Sequence, residues 1–119
     1  MIKVYCYERC TTCKKALKWL DDQGIKYQLL DIKSEHPDEK TIRELHAKSG
    51  LPLKRFFNTS GLLYKSLELS KKLPSMPEDE QYSLLASDGM LVKRPLVVGK
   101  DFVLVGFKES EWEILTKKQ

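Results

Sequence analysis

The sequence lacks any apolar run that approaches the roughly 18–20 residues needed to cross a bilayer. Its first residues also lack a basic region followed by an apolar stretch and a small-residue cleavage site, so we expect no secretory signal peptide. Cysteine occurs only three times, and an odd number argues against the closed disulfide framework of a small secreted protein. We therefore expect a cytoplasmic protein that makes no contact with a membrane.

A strong excess of one charge is also absent. Lysine and arginine number 21 against 17 aspartate and glutamate residues, which gives a net charge of +4 over 119 residues. These cations are dispersed along the chain, whereas nucleic-acid-binding proteins concentrate them on one face or stripe, so we expect no direct nucleic-acid partner. The length and an apolar content of 41% fit one compact domain, which we predict to span residues 1–119.

The first part of the chain predicts a strand–helix–strand unit. Alternating residues over 3–7, rich in β-forming side chains, predict a strand. After Thr12 the apolar residues recur at helical spacing, which predicts an amphipathic helix that Gly24 terminates. A second strand is predicted over 26–32, and the whole has the size of a βαβ unit.

The remainder of the chain predicts helices first and then two strands. Short helical segments fill a region from about 38 to 88, separated by breaks rich in Asn, Ser, Gly and Pro. Strands over 95–98 and 102–105 are joined by a tight hairpin, and a closing helix covers 109–117. The order β-α-β, helical insert, β-β-α predicts an α/β protein with a thioredoxin-like fold and a four-stranded mixed sheet.

A CxxC pair, Cys10 and Cys13, lies at the junction of the first strand and the first helix. Free backbone N–H groups and the positive end of the helix surround Cys10 and favour its thiolate form. Cys13 lies one turn further along, on the apolar face of the helix. This arrangement predicts that Cys10 attacks a substrate and that Cys13 resolves the product, forming a redox-active disulfide.

Metal binding is the main alternative use of these cysteines. A structural zinc site needs four ligands, and Cys6, His36 and His46 are the only further cysteine or histidine candidates. The spacing C-x3-C-x2-C also resembles the iron–sulfur motif of radical-SAM enzymes, but a complete barrel of that kind takes about 250 residues. We therefore favour redox chemistry, predict no metal, and interpret Cys6 as a small apolar side chain buried on the strand face.

The dipeptide Arg94-Pro95 is a second chemical signal. Proline is tolerated at the first residue of a strand, where its missing N–H need not pair. In thioredoxin-like folds a cis proline at this place faces the active cysteine. Arg94 is then expected to direct its fork of donors at an anion near Cys10, although an ordinary surface arginine before an edge strand is the alternative.

Three stretches of the sequence, residues 7–16, 56–61 and 85–95, resemble the arsenate reductase–Spx family. The last two are similar to its Spx/MgsR-like subgroup of small bacterial proteins. The resemblance covers nearly the whole chain and implies the same thioredoxin-like fold.

In the arsenate reductases of this family one nucleophilic cysteine acts beside three arginines that bind the oxyanion. The resemblance implies that Cys10 is this nucleophile, that Arg94 is one of the arginines, and that Arg94, Pro95 and Lys54 form the substrate site. Lys54 stands where the second arginine is expected, and Phe107 where the third is expected. The implied substrate is a small oxyanion or a thiol or disulfide. No bound cofactor is implied, and glutathione, glutaredoxin or thioredoxin serves as the reductant.

The Spx branch of the family implies a different function. There the CxxC pair is a disulfide switch, and the protein binds the C-terminal domain of the RNA polymerase α subunit. Cys10 and Cys13 match that switch, whereas Pro52 lies near the position of a glycine important for the polymerase contact. A redox-sensing transcriptional regulator is therefore the alternative to a thiol–disulfide redox enzyme.

Overall fold

The computed structural model describes residues 1–118, with side chains through Thr116. Its strands and α-helices, in chain order, are β1 (Ile2–Cys6), α1 (Thr11–Asp22), β2 (Tyr27–Asp31), α2 (Glu39–Ser49), α3 (Leu62–Ser66), α4 (Leu69–Lys72), α5 (Glu78–Ser87), β3 (Leu96–Val98), β4 (Val103–Val105), α6 (Glu109–Trp112) and α7 (Ile114–Lys118). Short 3₁₀ helices cover Leu53–Phe56, Leu73–Ser75 and Gly89–Leu91. Within this described part, every helix is too short or too polar to cross a membrane.

The strands form one mixed sheet in the order β2-β1-β3-β4. Strands β1 and β2 are parallel, and α1 is the crossover between them. Strand β3 runs antiparallel to both β1 and β4. The predicted α/β class, element order and four-stranded mixed sheet are confirmed.

The two faces of the sheet pack against different helices. Val4 and Cys6 point to one face, where they share a core with α1 and with Trp112 of α6. Tyr5 points to the opposite face and packs in a second core with Ile42 of α2 and other residues of the segment between β2 and β3. The alternation along β1 thus divides the molecule into a layer of α1 and the C-terminal helices, and a layer of α2–α5.

Two predicted boundaries are wrong in ways that affect the site. Strand β1 ends at Cys6 rather than at Tyr7, because Tyr7 O accepts a hydrogen bond from the N–H of Cys10 at 2.9 Å and so belongs to a turn. The closing helix is broken after Trp112 instead of running to residue 117. The N–H of Thr116 donates to the carbonyl of Glu113, three residues back, so the backbone tightens at the break.

Candidate functional site

Cys10 is the N-cap residue of α1 and is half-buried. Its extended backbone (φ −88°, ψ 115°) ends the turn that follows β1. Its Sγ accepts a hydrogen bond from the N–H of Cys13 at 3.4 Å, one of the N–H groups that the first helical turn leaves without a backbone acceptor. A helix N–H therefore points at this sulfur, and the role of Cys10 as the nucleophile stays a prediction.

Cys13 differs from Cys10 in its surroundings. It is 1% exposed and belongs to the core between α1 and β1. A side-chain hydrogen bond with Cys6, and secondarily burial, raises the pKa of the Cys13 thiol well above its usual range. Cys6, Cys10 and Cys13 are all free cysteines in this structure.

A cavity of about 680 Å³ opens beside Cys10. Three separate parts of the chain line it, through the residues Tyr7, Arg9, Cys10, Thr11, Thr12, Asn58, Ser60, Gly61, Leu62, Leu63, Asp88, Met90, Lys93 and Arg94. The ionised side chains in this lining are three cations, Arg9, Lys93 and Arg94, and one carboxylate, Asp88. The Asp88 Oδ1 accepts from the N–H of Met90 at 2.8 Å. The charge of the cavity is positive and suits an anionic ligand.

The guanidinium of Arg94 is the least satisfied polar group of this cavity. Its Nε and Nη1 atoms are buried and have no hydrogen-bond partner among the described residues. Its Cζ lies 5.1 Å from the centroid of the Tyr7 ring, close enough for a cation–π interaction. Buried donors in proteins nearly always have an acceptor, so the two unpaired nitrogens mark Arg94 as a candidate anion-binding side chain.

Asn58 holds the loop that forms the opposite wall. It is 8% exposed, and its N–H donates to the carbonyl of Leu91 at 2.8 Å. Its Oδ1 accepts from the Ser60 hydroxyl at 3.3 Å. An isolated bridge pairs Phe57 with Val92 directly beside this contact. The segment before α3 is thereby tied to the segment that carries Arg94.

The structure brings only some of the predicted site residues together. Cys10 and Arg94 line the same cavity, and Pro95 is buried next to them with a cis peptide bond to Arg94. Cys13 lies beneath Cys10 and borders a different cavity. The exposed Lys54 lines a third one, with Tyr64 and Gln81, so the geometry does not place it beside the nucleophile.

Phe107, at the expected position of a third arginine, belongs to an aromatic cluster. Its ring centroid lies 4.8 Å from that of Trp112 and 6.4 Å from that of Trp19. Both pairs are edge-on, a favoured arrangement of aromatic rings. Phe107 therefore contributes to packing of α1 against the C-terminal helices and supplies no donor to an anion.

Sequence reasoning missed Tyr7, Asn58 and Lys93 as parts of the cavity. Tyr7 was assigned to the strand, and Asn58 lay in a loop break and in a stretch of family resemblance without a role at the site. Lys93 precedes Arg94 directly, and that adjacency was the one signal in the sequence for a second cation. No group of three or more His, Cys, Asp or Glu side chains within the described residues is arranged to hold a metal ion.

Comparisons with known proteins agree with this geometry. The ArsC family model matches residues 5–115. The crystal structure of an ArsC family related protein from Bacteroides fragilis is 52% identical, covers 96% of each chain and superposes with a TM-score of 0.94. That of a possible arsenate reductase from Streptococcus mutans is 42% identical, covers 95% of this chain and 98% of that one, and has a TM-score of 0.86.

A more distant relative is a transcriptional regulator. The global transcriptional regulator Spx of Staphylococcus aureus is 26% identical over 111 residues, which cover 93% of this chain and 83% of Spx. The predicted thioredoxin-like fold and the predicted family are both confirmed by these matches. The matched range includes the CxxC pair and Arg94, and the chain belongs to the ArsC family.

Proposed function

We propose that this protein is a cytoplasmic thiol–disulfide oxidoreductase that acts on small anionic disulfides. The observation that carries the proposal is the Arg94 guanidinium, whose buried Nε and Nη1 lack partners among the described residues in the cavity that Cys10 lines. A thiolate nucleophile and an unpaired guanidinium in one positive cavity suit a substrate with a sulfur centre and a carboxylate.

The chemistry follows from the unequal cysteines. The Cys10 thiolate attacks one sulfur of the substrate disulfide R–S–S–R′, forms the mixed disulfide Cys10–S–S–R, and releases R′–S⁻. The Cys13 thiol then loses its proton and attacks the Cys10 sulfur, which forms the Cys10–Cys13 disulfide and releases R–S⁻. Thioredoxin or another dithiol reductant returns the enzyme to the dithiol state and is itself oxidised to a disulfide. Glutathione or glutaredoxin can do so when the substrate is not glutathione disulfide, because glutathione would only regenerate that substrate. Arg94 holds the carboxylate of the R group through both steps.

Arsenate is the second substrate class. Several arginines bind an oxyanion more strongly than lysines do, because each guanidinium donates two hydrogen bonds whereas a lysine ammonium is a point charge. Here Arg94 is accompanied in the cavity by Arg9 and Lys93, whereas Lys54 lies at another cavity and Phe107 is packed on tryptophans. These observations favour a disulfide over arsenate as the substrate.

Steady-state kinetics with three substrates test the proposal. Glutathione disulfide carries carboxylates, hydroxyethyl disulfide carries none, and arsenate is assayed with glutathione and glutaredoxin. We expect turnover of both disulfides, a lower KM for glutathione disulfide, and loss of turnover in Cys10→Ser. Equal rates for Cys10→Ser and wild type would contradict the proposal, and a higher kcat/KM for arsenate would assign the site to the oxyanion.

A redox-sensing regulator is the second candidate function, and the match to Spx is the observation that favours it. The CxxC pair would then act as a switch that reports oxidation rather than as a catalyst. The test is a pull-down of the C-terminal domain of the RNA polymerase α subunit by reduced and by oxidised protein. Binding that depends on the Cys10–Cys13 disulfide, without disulfide turnover, would favour the regulator.

A further inference from the structure

Cys6 is close to the redox pair, although the sequence offered no role for it beyond packing. It is the last residue of β1 and is 6% exposed. Its side chain packs in one core with that of Cys13, which is itself 1% exposed, and the two line one cavity. The N–H of Cys13 donates to Cys10 Sγ at 3.4 Å. Cys13 is therefore next to Cys10 along the helix and next to Cys6 in the core, and the neighbouring Cys6 side chain is the main cause of its raised pKa.

A second cavity, of about 350 Å³, reaches this inner pair of cysteines. Both Cys6 and Cys13 line it, together with Tyr7, Lys14, three leucines and the carboxylates of Glu8, Asp31 and Glu35. Cys10 and Arg94 line the first cavity instead. The buried inner pair therefore borders a cavity other than the one that Cys10 and Arg94 line, with Tyr7 between the two cavities.

We propose that Cys6 is a second resolving thiol, which moves the disulfide from Cys10–Cys13 to Cys6–Cys13. This proposal rests on the proposed function, because the substrate disulfide supplies the oxidation. In the step, the Cys6 thiol loses its proton and attacks the Cys13 sulfur. The Cys10–Cys13 bond breaks, the Cys6–Cys13 bond forms, and Cys10 leaves as a thiolate that can take up a proton. One disulfide replaces another, so no further oxidant or reductant is needed.

The geometry favours this direction of attack at Cys13. A thiolate leaves more readily where its charge is stabilised, and the N–H of Cys13 lies 3.4 Å from Cys10 Sγ. Cys10 is therefore a suitable leaving group. After the exchange Cys10 is again free in the Arg94 cavity, whereas the new disulfide is shielded from substrate and borders the second cavity. The enzyme then presents its nucleophile and its disulfide at two different openings.

Peptide mapping separates the two disulfides directly. Trypsin cleaves after Lys3, Arg9 and Lys14, which puts Cys6 in one peptide and Cys10 with Cys13 in the next. A Cys10–Cys13 bond lies within one peptide, whereas a Cys6–Cys13 bond links two. Reduced protein is treated with glutathione disulfide, quenched in acid at increasing times, alkylated and digested. We expect the internal bond to form first and the linked peptides, with Cys10 alkylated, to follow.

Variants distinguish this proposal from the proposed function. Cys10→Ser, oxidised with diamide, should still give the linked peptides, because it keeps both inner cysteines. Cys6→Ser should stop at the internal Cys10–Cys13 bond and lose the alkylation of Cys10 after oxidation. Val4→Ala, which perturbs the same core without removing a thiol, should behave as wild type.

Two results overturn the proposal. If wild type forms only the Cys10–Cys13 bond and Cys10→Ser forms none, Cys6 has no redox role and the proposed function stands. If wild type forms neither disulfide while Cys10 becomes glutathionylated, the dithiol mechanism fails as well. Circular dichroism of each variant before oxidation confirms that these outcomes do not arise from unfolding.

Discussion

Cys10 and Cys13 share a helix but differ in access and in hydrogen bonding. Cys10 is half-buried at the cavity and receives a helix N–H, whereas Cys13 is 1% exposed. Because the pKa of Cys13 is raised, it holds its proton at neutral pH and is a poorer nucleophile than an exposed cysteine. These differences between the two residues favour Cys10 as the one that first attacks the substrate disulfide.

This difference predicts the order of alkylation. At pH near 7, brief treatment of the reduced protein with iodoacetamide should label Cys10 well before Cys6 or Cys13, since both of the latter are buried. Mass spectrometry of tryptic peptides, with fragmentation to separate Cys10 from Cys13, measures the three rates. Complete denaturation in guanidinium is the control and should make the rates similar. Labelling of Cys13 or Cys6 ahead of Cys10 in the native protein would contradict the assignment.

Arg94 offers a second test at the scale of one residue. Arg94→Lys keeps the charge but loses the guanidinium fork, and hydrogen bonds to charged groups contribute about 1.5–3 kcal/mol, so KM for glutathione disulfide should rise roughly tenfold or more. The KM for uncharged hydroxyethyl disulfide should change little. Lys100→Ala, an exposed cation on the β3–β4 hairpin, is the matched control. Equal effects of Arg94→Lys on both substrates would mean that Arg94 does not bind the substrate's anionic group.

For Lys54, the position that the family resemblance implied differs from the position in the structure. The resemblance placed it in the oxyanion site, and it lines a cavity with Tyr64 and Gln81 instead. Position in the sequence could identify a cation near the expected place, but it could not report the direction of a side chain on the 3₁₀ helix Leu53–Phe56. Its role in substrate binding stays a prediction, and the KM of Lys54→Ala tests it.

At the scale of secondary structure, α1 couples the redox pair to the stability of the fold. The raised pKa of Cys13 means that the unfolded chain loses this proton near pH 8.5, the ordinary thiol range, while the folded chain keeps it. The contribution to stability is therefore present below about pH 8.5 and declines as pH rises further.

This coupling predicts a fall in the free energy of unfolding above about pH 8.5, at up to about 1.4 kcal/mol per pH unit from this group. Urea denaturation of the reduced protein between pH 8 and about 9.5 measures it, and the tyrosines, whose pKa in the unfolded chain is about 10, contribute equally in wild type and in the variant. In Cys13→Ser, which has no thiol at this position, the fall should be smaller. An identical pH dependence in wild type and Cys13→Ser would show that Cys13 does not keep its proton in the folded state.

Gly89 lies in the connection between α5 and β3, in close contact with the backbone after β2. A Cβ added here would overlap with the carbonyl oxygen of Ile32, a backbone atom that cannot move aside without shifting the chain after β2. Gly89→Ala should therefore destabilise the protein more than Gly24→Ala, where space is open and only the positive φ of +70° costs roughly 1–2 kcal/mol. Thermal unfolding of the two variants gives the comparison. A smaller loss for Gly89→Ala would mean that this connection yields easily.

Periodicity predicted the elements well where one face is buried. Strand β1 and helix α1 have clear alternation or helical spacing, and α1 ends at Asp22, two residues before the predicted stop at the left-handed Gly24. The break between α6 and α7 was missed for a physical reason. Trp112 and Leu115 are both fully buried across it, so the spacing of inward residues continues although the backbone hydrogen bonding does not.

At the scale of the whole molecule, the site depends on long-range pairing. Residues 7–12, 58–63 and 88–94 meet because β3 pairs with β1 and because Phe57 bridges to Val92. The sequence contained the CxxC pair and Arg94 as separate signals, and the thioredoxin-like order predicted that they meet. It contained no signal for the contact of Cys6 with Cys13, since the face of a strand does not specify which helical residue packs on it.

The central claim is that Cys10 attacks and that Cys13 completes an internal disulfide beside Arg94. Disulfide mapping after exposure to glutathione disulfide tests it most directly, with wild type, Cys13→Ser and Cys10→Ser in parallel. We expect an internal disulfide that contains Cys13 in wild type, a trapped Cys10–glutathione mixed disulfide in Cys13→Ser, and no glutathione adduct in Cys10→Ser. Wild-type protein that accumulates glutathione on Cys10 while Cys13 stays reduced would contradict it.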